Sequence, residues 1–310
     1  MEQIAVYGAG AIGAGLATLL VGNSCPVVVL GNSENGLVRC RKTVEDNWDA
    51  LVEQGYATEA NKYAAMKLLT LTTDPVALTG CTFIFEAVKE EVAVKRQVYK
   101  TIRRFAEENA IIASTTSSLD AEILAELAEK PSQLIIAHPF QPAHLQPLVE
   151  VVRHQKTDEA VVKRTCALLD SLGRQVVRLE RSVPGFLVNR FAQALFRESI
   201  YLIEQGVATA ADIDRAVKYA VGMRYASVGL LEYFDDVGFE LESAIAQNVY
   251  PDLCGTTSLQ KTVLDGLSSG NTGLRTGHGL YDWESKDIPD YQCRKQAPFY
   301  KIAETWNMPT

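Results

Sequence analysis

No two of the six cysteines, Cys25, Cys40, Cys81, Cys166, Cys254 and Cys293, form a Cys-x-x-Cys pair, and none stands at zinc-type spacing from one of the four histidines. That excludes a zinc ribbon or finger and a dithiol redox motif; no metal is expected, and the thiols read as reduced groups of a cytosolic protein. Positive charge is also short. The 30 Lys and Arg residues against 38 Asp and Glu leave a net charge of -8, and no Lys/Arg stripe offsets it, so nucleic acid is not an expected partner. No apolar run approaches the ~18 residues of a membrane span. The chain enters a strand almost at once, without the basic and apolar regions of a secretory leader, so a soluble, cytoplasmic protein is expected. Low-complexity tracts and blocks of like charge are missing too. The 47% of hydrophobic and 22% of charged residues are those of a folded chain, and 310 residues exceed the ~100 to 200 of a single domain.

What is present in the first half is alternation. Short β-rich apolar runs at 4–8, 27–30, 68–72, 82–88, 110–115 and 134–138 are separated by helical stretches, which predicts an α/β fold, a mainly parallel sheet wound with helices on both faces. One interval is longer. Between the second and third runs, about 33–67, Leu37, Val44, Trp48, Leu51 and Val52 recur at helical spacing, enough for a helical hairpin inserted beside the sheet. Further strands are expected at 148–152 and 175–179. At Val183-Pro184-Gly185 the character changes, and from Asn189 helical periodicity dominates. The expected domains are therefore 1–184, with the insertion, and a helical 185–310.

Gly8-Ala9-Gly10-Ala11-Ile12-Gly13 follows a strand and opens an apolar helix, the context a dinucleotide fingerprint needs. The first glycine makes the turn, the second admits a pyrophosphate to the backbone, and the third lets helix pack on strand. Phosphates would sit on the helix N-terminus, at Gly8, Gly10, Ala11, Ile12 and Gly13. The acid that usually takes the ribose hydroxyl is missing, because the second strand ends Leu30-Gly31-Asn32-Ser33-Glu34. Asn32 and Ser33 are the available polar groups, with Arg39 or Arg41 as possible aids to a 2′-phosphate. NAD is the expected cofactor, and NADP stays open.

His138 closes the run at 134–138, at the carboxyl end of a strand, where open α/β sheets bind ligands. A lone histidine there is often a capped strand end with one hydrogen bond. Glu150, however, lies within the apolar stretch 147–152, where an unpaired carboxylate is costly. A histidine partner relieves that cost, and the carboxylate in turn orients the ring and stabilises its protonated form. Ser117 ends the preceding strand on the same edge, and Asn189 begins the next domain. A hydroxyl, an amide, an imidazole and a carboxylate could thus converge near a nicotinamide.

These segments together resemble the 3-hydroxyacyl-CoA dehydrogenase family nearly end to end. The carriers are the glycine turn, Glu86-Ala87-Val88-Lys89-Glu90 with Val94-Lys95, Thr116-Ser117-Ser118-Leu119, His138-Pro139-Phe140-Gln141-Pro142, Pro147-Leu148-Val149-Glu150 and Pro184-Gly185-Phe186-Leu187-Val188-Asn189-Arg190, with Gly277-His278-Gly279-Leu280-Tyr281-Asp282 as a C-terminal signature. The resemblance implies a Rossmann-type domain, an all-helical C-terminal domain that makes a homodimer, and oxidation of a 3-hydroxyl to a ketone with NAD. It casts His138 as general base, Glu150 as its orienting partner, and Ser117 and Asn189 as holders of the substrate oxygen. Glu86, Glu90 and Lys95 fall near the cofactor.

Two departures bear on the substrate. Gln141 stands where the family usually has asparagine. Gly222-Met223-Arg224-Tyr225-Ala226 is similar to the segment of the L-gulonate dehydrogenase and lambda-crystallin branch. An arginine offers a planar fork for a carboxylate, which a thioester would not need; the plainer reading is a surface arginine bridging to Glu232 or an acidic neighbour. Likewise, Lys95 could simply pair with Glu91 on one helix face. The leading expectation is a 3-hydroxyacyl-CoA dehydrogenase of fatty acid metabolism. Gln141 is a candidate substrate-binding residue for either substrate class. The alternatives are a dehydrogenase of a small free 3-hydroxy carboxylate (gulonate-, carnitine- or cyclic hydroxy-acid-like) using Arg224 for the carboxylate, and a non-catalytic, crystallin-like dinucleotide-binding protein.

Overall fold

The computed structural model describes residues 2–305. The chain runs β1 (Ile4–Tyr7), α1 (Ala11–Gly22), β2 (Val27–Leu30), α2 (Glu34–Glu53), α3 (Glu59–Met66), β3 (Leu69–Thr72), β4 (Phe83–Glu86), α4 (Val92–Phe105), β5 (Ile111–Ser114), α5 (Ala121–Leu127), β6 (Leu134–Pro139), β7 (Leu148–Val152), α6 (Glu159–Ser171) and β8 (Gln175–Leu179). The eight strands form one sheet in the order β3-β2-β1-β4-β5-β6-β7-β8, parallel except where β7 returns against β6. The α/β fold expected from the alternation is present. Its strand order reverses between β1 and β4, the crevice where doubly wound sheets bind dinucleotides.

The central strands are apolar throughout because both of their faces are covered. Alternate residues divide between two cores. Val6, Val29, Phe83, Phe85, Ala113 and Ala137 point to one, and Ala5, Leu30, Ile84, Ile112 and Ile136 to the other. At the edges, β3 and β8 are only half-buried. Two helices, α2 and α3, lie between β2 and β3. Leu37, Cys40, Val44 and Trp48 form the buried stripe of the 20-residue α2, Ser33 caps it by accepting the N–H of Gly36, and Thr58 and Asn61 cap α3 reciprocally.

The chain divides into two compact units, one running to Leu187 and taking in the chain from Arg294, the other Val188–Cys293. The second is helical: α7 (Val188–Glu204), α8 (Ala210–Ala216), a π-helical turn at Val217–Gly222, α9 (Met223–Ser227), α10 (Leu230–Val237), α11 (Phe239–Val249), α12 (Lys261–Ser269) and the start of α13 (Ile288–Thr305). From Arg294, α13 groups with the sheet unit rather than with the helical stretch that 185–310 assigned it to. There Tyr300 is buried and stacks on Tyr56, with ring centroids 5.5 Å apart. Among the described residues all six cysteines are free, no helix is long and apolar enough to cross a membrane, and no group of His, Cys, Asp or Glu is placed to hold a metal.

Candidate active site

The glycine turn between β1 and α1 has the geometry its three roles require. Gly8 has φ +131, and a Cβ there would lie 2.2 Å from the Ala87 carbonyl oxygen, so only glycine fits. A Cβ on Gly13 would come within 1.9 Å of the Gly8 oxygen, which is why helix and strand can approach so closely. At Gly10 a Cβ would meet nothing within 4 Å, so the backbone faces open space. Gly10 caps α1 without a side chain and no acid stands in the first turn, leaving N–H groups free for an anion. The turn fits a pyrophosphate.

His138 and Glu150 are direct cross-strand partners. The antiparallel pairing of β6 with β7 sets them opposite each other, so both side chains leave the same face of the sheet. His138 Nδ1 lies 2.9 Å from Glu150 Oε2, and both residues are buried. The second carboxylate oxygen accepts the backbone N–H of Leu187 at 2.9 Å. With Nδ1–H donating to the carboxylate, the lone pair is on Nε2, which makes no hydrogen bond among the described residues. Phe140 and Phe186 flank the imidazole, with centroids at 4.5 and 5.6 Å.

The contribution of the Gly185–Leu187 turn had no signal in the sequence. Gly185 and Phe186 both take left-handed conformations, φ +77 and +49, unusual for a bulky residue such as phenylalanine. Two such residues in succession bury the Phe186 ring beside His138 and aim the next N–H at Glu150. The backbone strain and the hydrogen bond belong to one device that holds the pair.

A second cluster surrounds Glu86, at the carboxyl end of β4. Its carboxylate is fully buried and accepts from Lys95 Nζ at 2.8 and 2.9 Å, Ser114 Oγ at 2.6 Å, Tyr99 Oη at 3.1 Å and the Val88 N–H at 3.0 Å. Burial first, and then the Glu86 charge, hold the Tyr99 phenol well above its usual range, so it stays a donor. Lys95 also reaches Glu90 Oε2 at 3.5 Å. Its partners are thus Glu86 and Glu90, not Glu91. Glu90 in turn accepts the Ser117 N–H at 2.9 Å and the Thr116 hydroxyl at 2.8 Å. Glu90 and Lys95 therefore shape the loop that carries the exposed Ser117, while Glu86 is enclosed behind them.

Ser117 lies just past Ser114, which pairs with Ile136, two residues before His138, so Ser117 and His138 leave adjacent strands at the same edge. Gln141 is exposed beyond β6, and Asn32 and Ser33 are exposed beyond β2. Within the helical unit, Asn189 is half-buried on the first turn of α7. Arg224, on α9 directly after the π-helical turn, packs over the Tyr233 ring at 4.4 Å and pairs with no carboxylate among the described residues. Glu232, its expected partner, instead accepts the N–H of Gly229.

His144 bears on stability. Its Nδ1 is buried without a hydrogen bond, and burial, helped by the charge of Arg174, pushes the imidazole down to about 4. The unfolded chain binds this proton below its usual value of 6.5, and the folded chain only near 4. Stability is therefore full above pH 6.5 and falls toward pH 4, by about 3 kcal/mol for this group. Urea unfolding between pH 7.5 and 4.5 should show the decline, and His144→Gln should flatten it. An unchanged slope in the variant would rule the group out.

Residues 3–182 match the 3-hydroxyacyl-CoA dehydrogenase NAD binding domain, and residues 185–283 match the 3-hydroxyacyl-CoA dehydrogenase C-terminal domain. An L-carnitine dehydrogenase of Bacillus cereus is 32% identical over 289 residues, covering 88% of this chain and 86% of that protein. A 5-formyl-3-hydroxy-2-methylpyridine 4-carboxylate 5-dehydrogenase of Mesorhizobium japonicum is 26% identical over 309 residues, 98% of this chain and 99% of that one. The crystal structure of a dehydrogenase of that type, described as an NAD+ dependent dismutase, matches with a TM-score of 0.90 at 26% identity over 99% of each chain. The (S)-3-hydroxybutyryl-CoA dehydrogenase of Ralstonia eutropha matches with a TM-score of 0.77 at 27% identity, over 92% of this chain and 100% of that one.

Proposed function

The chain belongs to the 3-hydroxyacyl-CoA dehydrogenase family and is an NAD-dependent dehydrogenase acting on CH–OH; from that premise we propose that it oxidises the 3-hydroxyl of a small free carboxylate, with His138 as the general base. The observation that carries this reading is the buried His138–Glu150 pair, with Nδ1 committed to the carboxylate and Nε2 left to take the hydroxyl proton. Glu150 stabilises the imidazolium that forms, and Ser117 and Asn189 hold the reacting oxygen. NAD supplies the hydride acceptor. Gly8, Gly10, Ala11, Ile12 and Gly13 would hold its pyrophosphate, Asn32 and Ser33 its adenosine ribose, and Glu90, Lys95 and Ser117 its nicotinamide end, with Glu86 keeping Lys95 in place.

Two observations support a free acid. The arginine fork of Arg224 is unpaired among the described residues, and two relatives similar over most of the chain are named for carnitine and a pyridine carboxylate. The second reading, a 3-hydroxyacyl-CoA substrate and a place in fatty acid metabolism, is favoured by the likeness to 3-hydroxybutyryl-CoA dehydrogenase. Specificity constants over a panel of 3-hydroxy acids and CoA esters separate the two. A bidentate ionic hydrogen bond is worth ~1.5 to 3 kcal/mol, so Arg224→Ala should lower kcat/KM for the free acid by ~10 to 100-fold and leave acetoacetyl-CoA unaffected. Equal losses, or none, would defeat the free-acid reading.

The protein is further proposed to act in the cytoplasm as a homodimer joined through the helical unit. Phe191, Leu195 and Phe196 on α7, and Leu231, Phe239 and Leu241 beyond it, are exposed, while Ile200 is the one buried residue described on α7. Apolar surface of that extent needs a partner, and a second copy supplies the same surface. Sedimentation at micromolar concentration should give the mass of two chains; a single-chain mass would remove the dimer.

A further inference from the structure

We propose that the adenosine end of the cofactor site takes a 2′-phosphate, so that this dehydrogenase binds NADPH as well as NADH, with Arg39, Asn32 and Ser33 as the groups that admit it. The inference rests on the NAD-binding assignment above and deepens it.

Discrimination against NADP in this fold comes from a carboxylate at the end of β2, which bonds the ribose hydroxyl and repels a phosphate. Here that position is Gly31, and the packing accounts for it. Gly31 is buried, and a Cβ on it would stand 2.5 Å from Leu37 Cδ2 and 3.4 Å from the Ala9 Cβ. Any acid there would have to displace a side chain of the α2 core. The repelling charge is therefore absent for a structural reason.

What replaces it is polar and partly cationic. The point where a Gly36 Cβ would stand lies 3.1 Å from Ser33 Oγ, 3.8 Å from Asn32 Oδ1 and 3.9 Å from Arg39 Nη2. Glycine at 36 thus leaves room between a hydroxyl, an amide and a guanidinium, beside the first-turn N–H groups of the long helix α2. Ser33 holds its place by accepting the Gly36 N–H at 3.2 Å. Of the two arginines near this turn, Arg41 faces Glu45, whereas Arg39 has no carboxylate partner among the described residues. The acid nearest in sequence, Glu34, accepts from the Thr73 hydroxyl at 3.1 Å, at the end of β3. Asn32 Oδ1 accepts the Ser33 hydroxyl at 3.4 Å, which leaves the Asn32 amide NH2 and the Arg39 guanidinium as the donors. A guanidinium is the charged donor a phosphate monoester requires, and a bare ribose hydroxyl does not need the charge.

The test is equilibrium binding of the two reduced cofactors to the full chain, followed by nicotinamide fluorescence. The two dissociation constants should lie within about tenfold of each other, a gap far smaller than an opposing carboxylate would impose. Arg39→Ala, at an exposed position, should weaken NADPH by about tenfold or more and NADH by less than about twofold. Leu37→Ala with Gly31→Asp should restore discrimination, holding NADH and losing NADPH. NADPH binding weaker than NADH by more than about tenfold in the unaltered protein, or an equal effect of Arg39→Ala on both cofactors, overturns the inference while leaving NAD use intact. Failure of both cofactors to bind overturns it together with the NAD assignment.

Discussion

Exchanging His138 for glutamine is expected to lower turnover by ~10² to 10⁴ while leaving the affinity for NADH unchanged. The amide has about the length of the ring and can still face Glu150, so the buried carboxylate keeps a donor. What disappears is the basic Nε2. The glycine turn and the loop held by Glu90 lie on other strands of the sheet, and nothing in their hydrogen bonding passes through residue 138. A fall in kcat with an unchanged NADH dissociation constant is thus the signature of a lost base. Near-normal turnover would take His138 out of the mechanism. Glu150→Gln is a useful companion, because an amide can present its N–H to Nδ1 and favour the wrong tautomer. It should also lower kcat, whereas a carboxylate serving only to fill space would tolerate the change.

The largest effect on stability is expected at Glu86. Its carboxylate and the Lys95 ammonium are both buried, and taking away one partner leaves the other charge uncompensated, at a cost of ~3 to 5 kcal/mol. Glu90 moderates this for Lys95, since it lies 3.5 Å away, but its side chain is 38% exposed and screened by water. Glu86→Ala would also remove the acceptor of the Tyr99 and Ser114 hydroxyls. Denaturant unfolding of Glu86→Ala should show the loss, and Glu86→Leu with Lys95→Met should recover most of it, because two apolar groups leave no charge behind. A double variant as unstable as the single one, or a single one losing less than ~1 kcal/mol, would show that the charges are not enclosed as described. The same measurement separates two roles within the cluster. The double variant should fold yet bind NADH more weakly, because Lys95 no longer braces Glu90 and the Ser117 loop.

The sequence by itself determined the local and periodic features. Apolar runs of strand length stood out because the central strands are covered on both faces. The glycine turn was readable because positive φ at Gly8 and the close approach at Gly13 tolerate no side chain. Glu150 could be assigned to His138 because a buried carboxylate must find a partner. Tertiary structure alone decided how distant segments meet. The antiparallel return of β7 sets residue 150 opposite residue 138, and the left-handed Gly185-Phe186 pair aims an N–H at the same carboxylate. Glu86 became the enclosed center of a charged cluster, Arg224 packed over Tyr233 rather than bridging to Glu232, and the end of α13 joined the sheet unit. Periodicity reports which face of an element is buried, but not which residue far along the chain buries it. That depends on strand order, register and backbone direction, which are properties of the assembled sheet and not of any one segment.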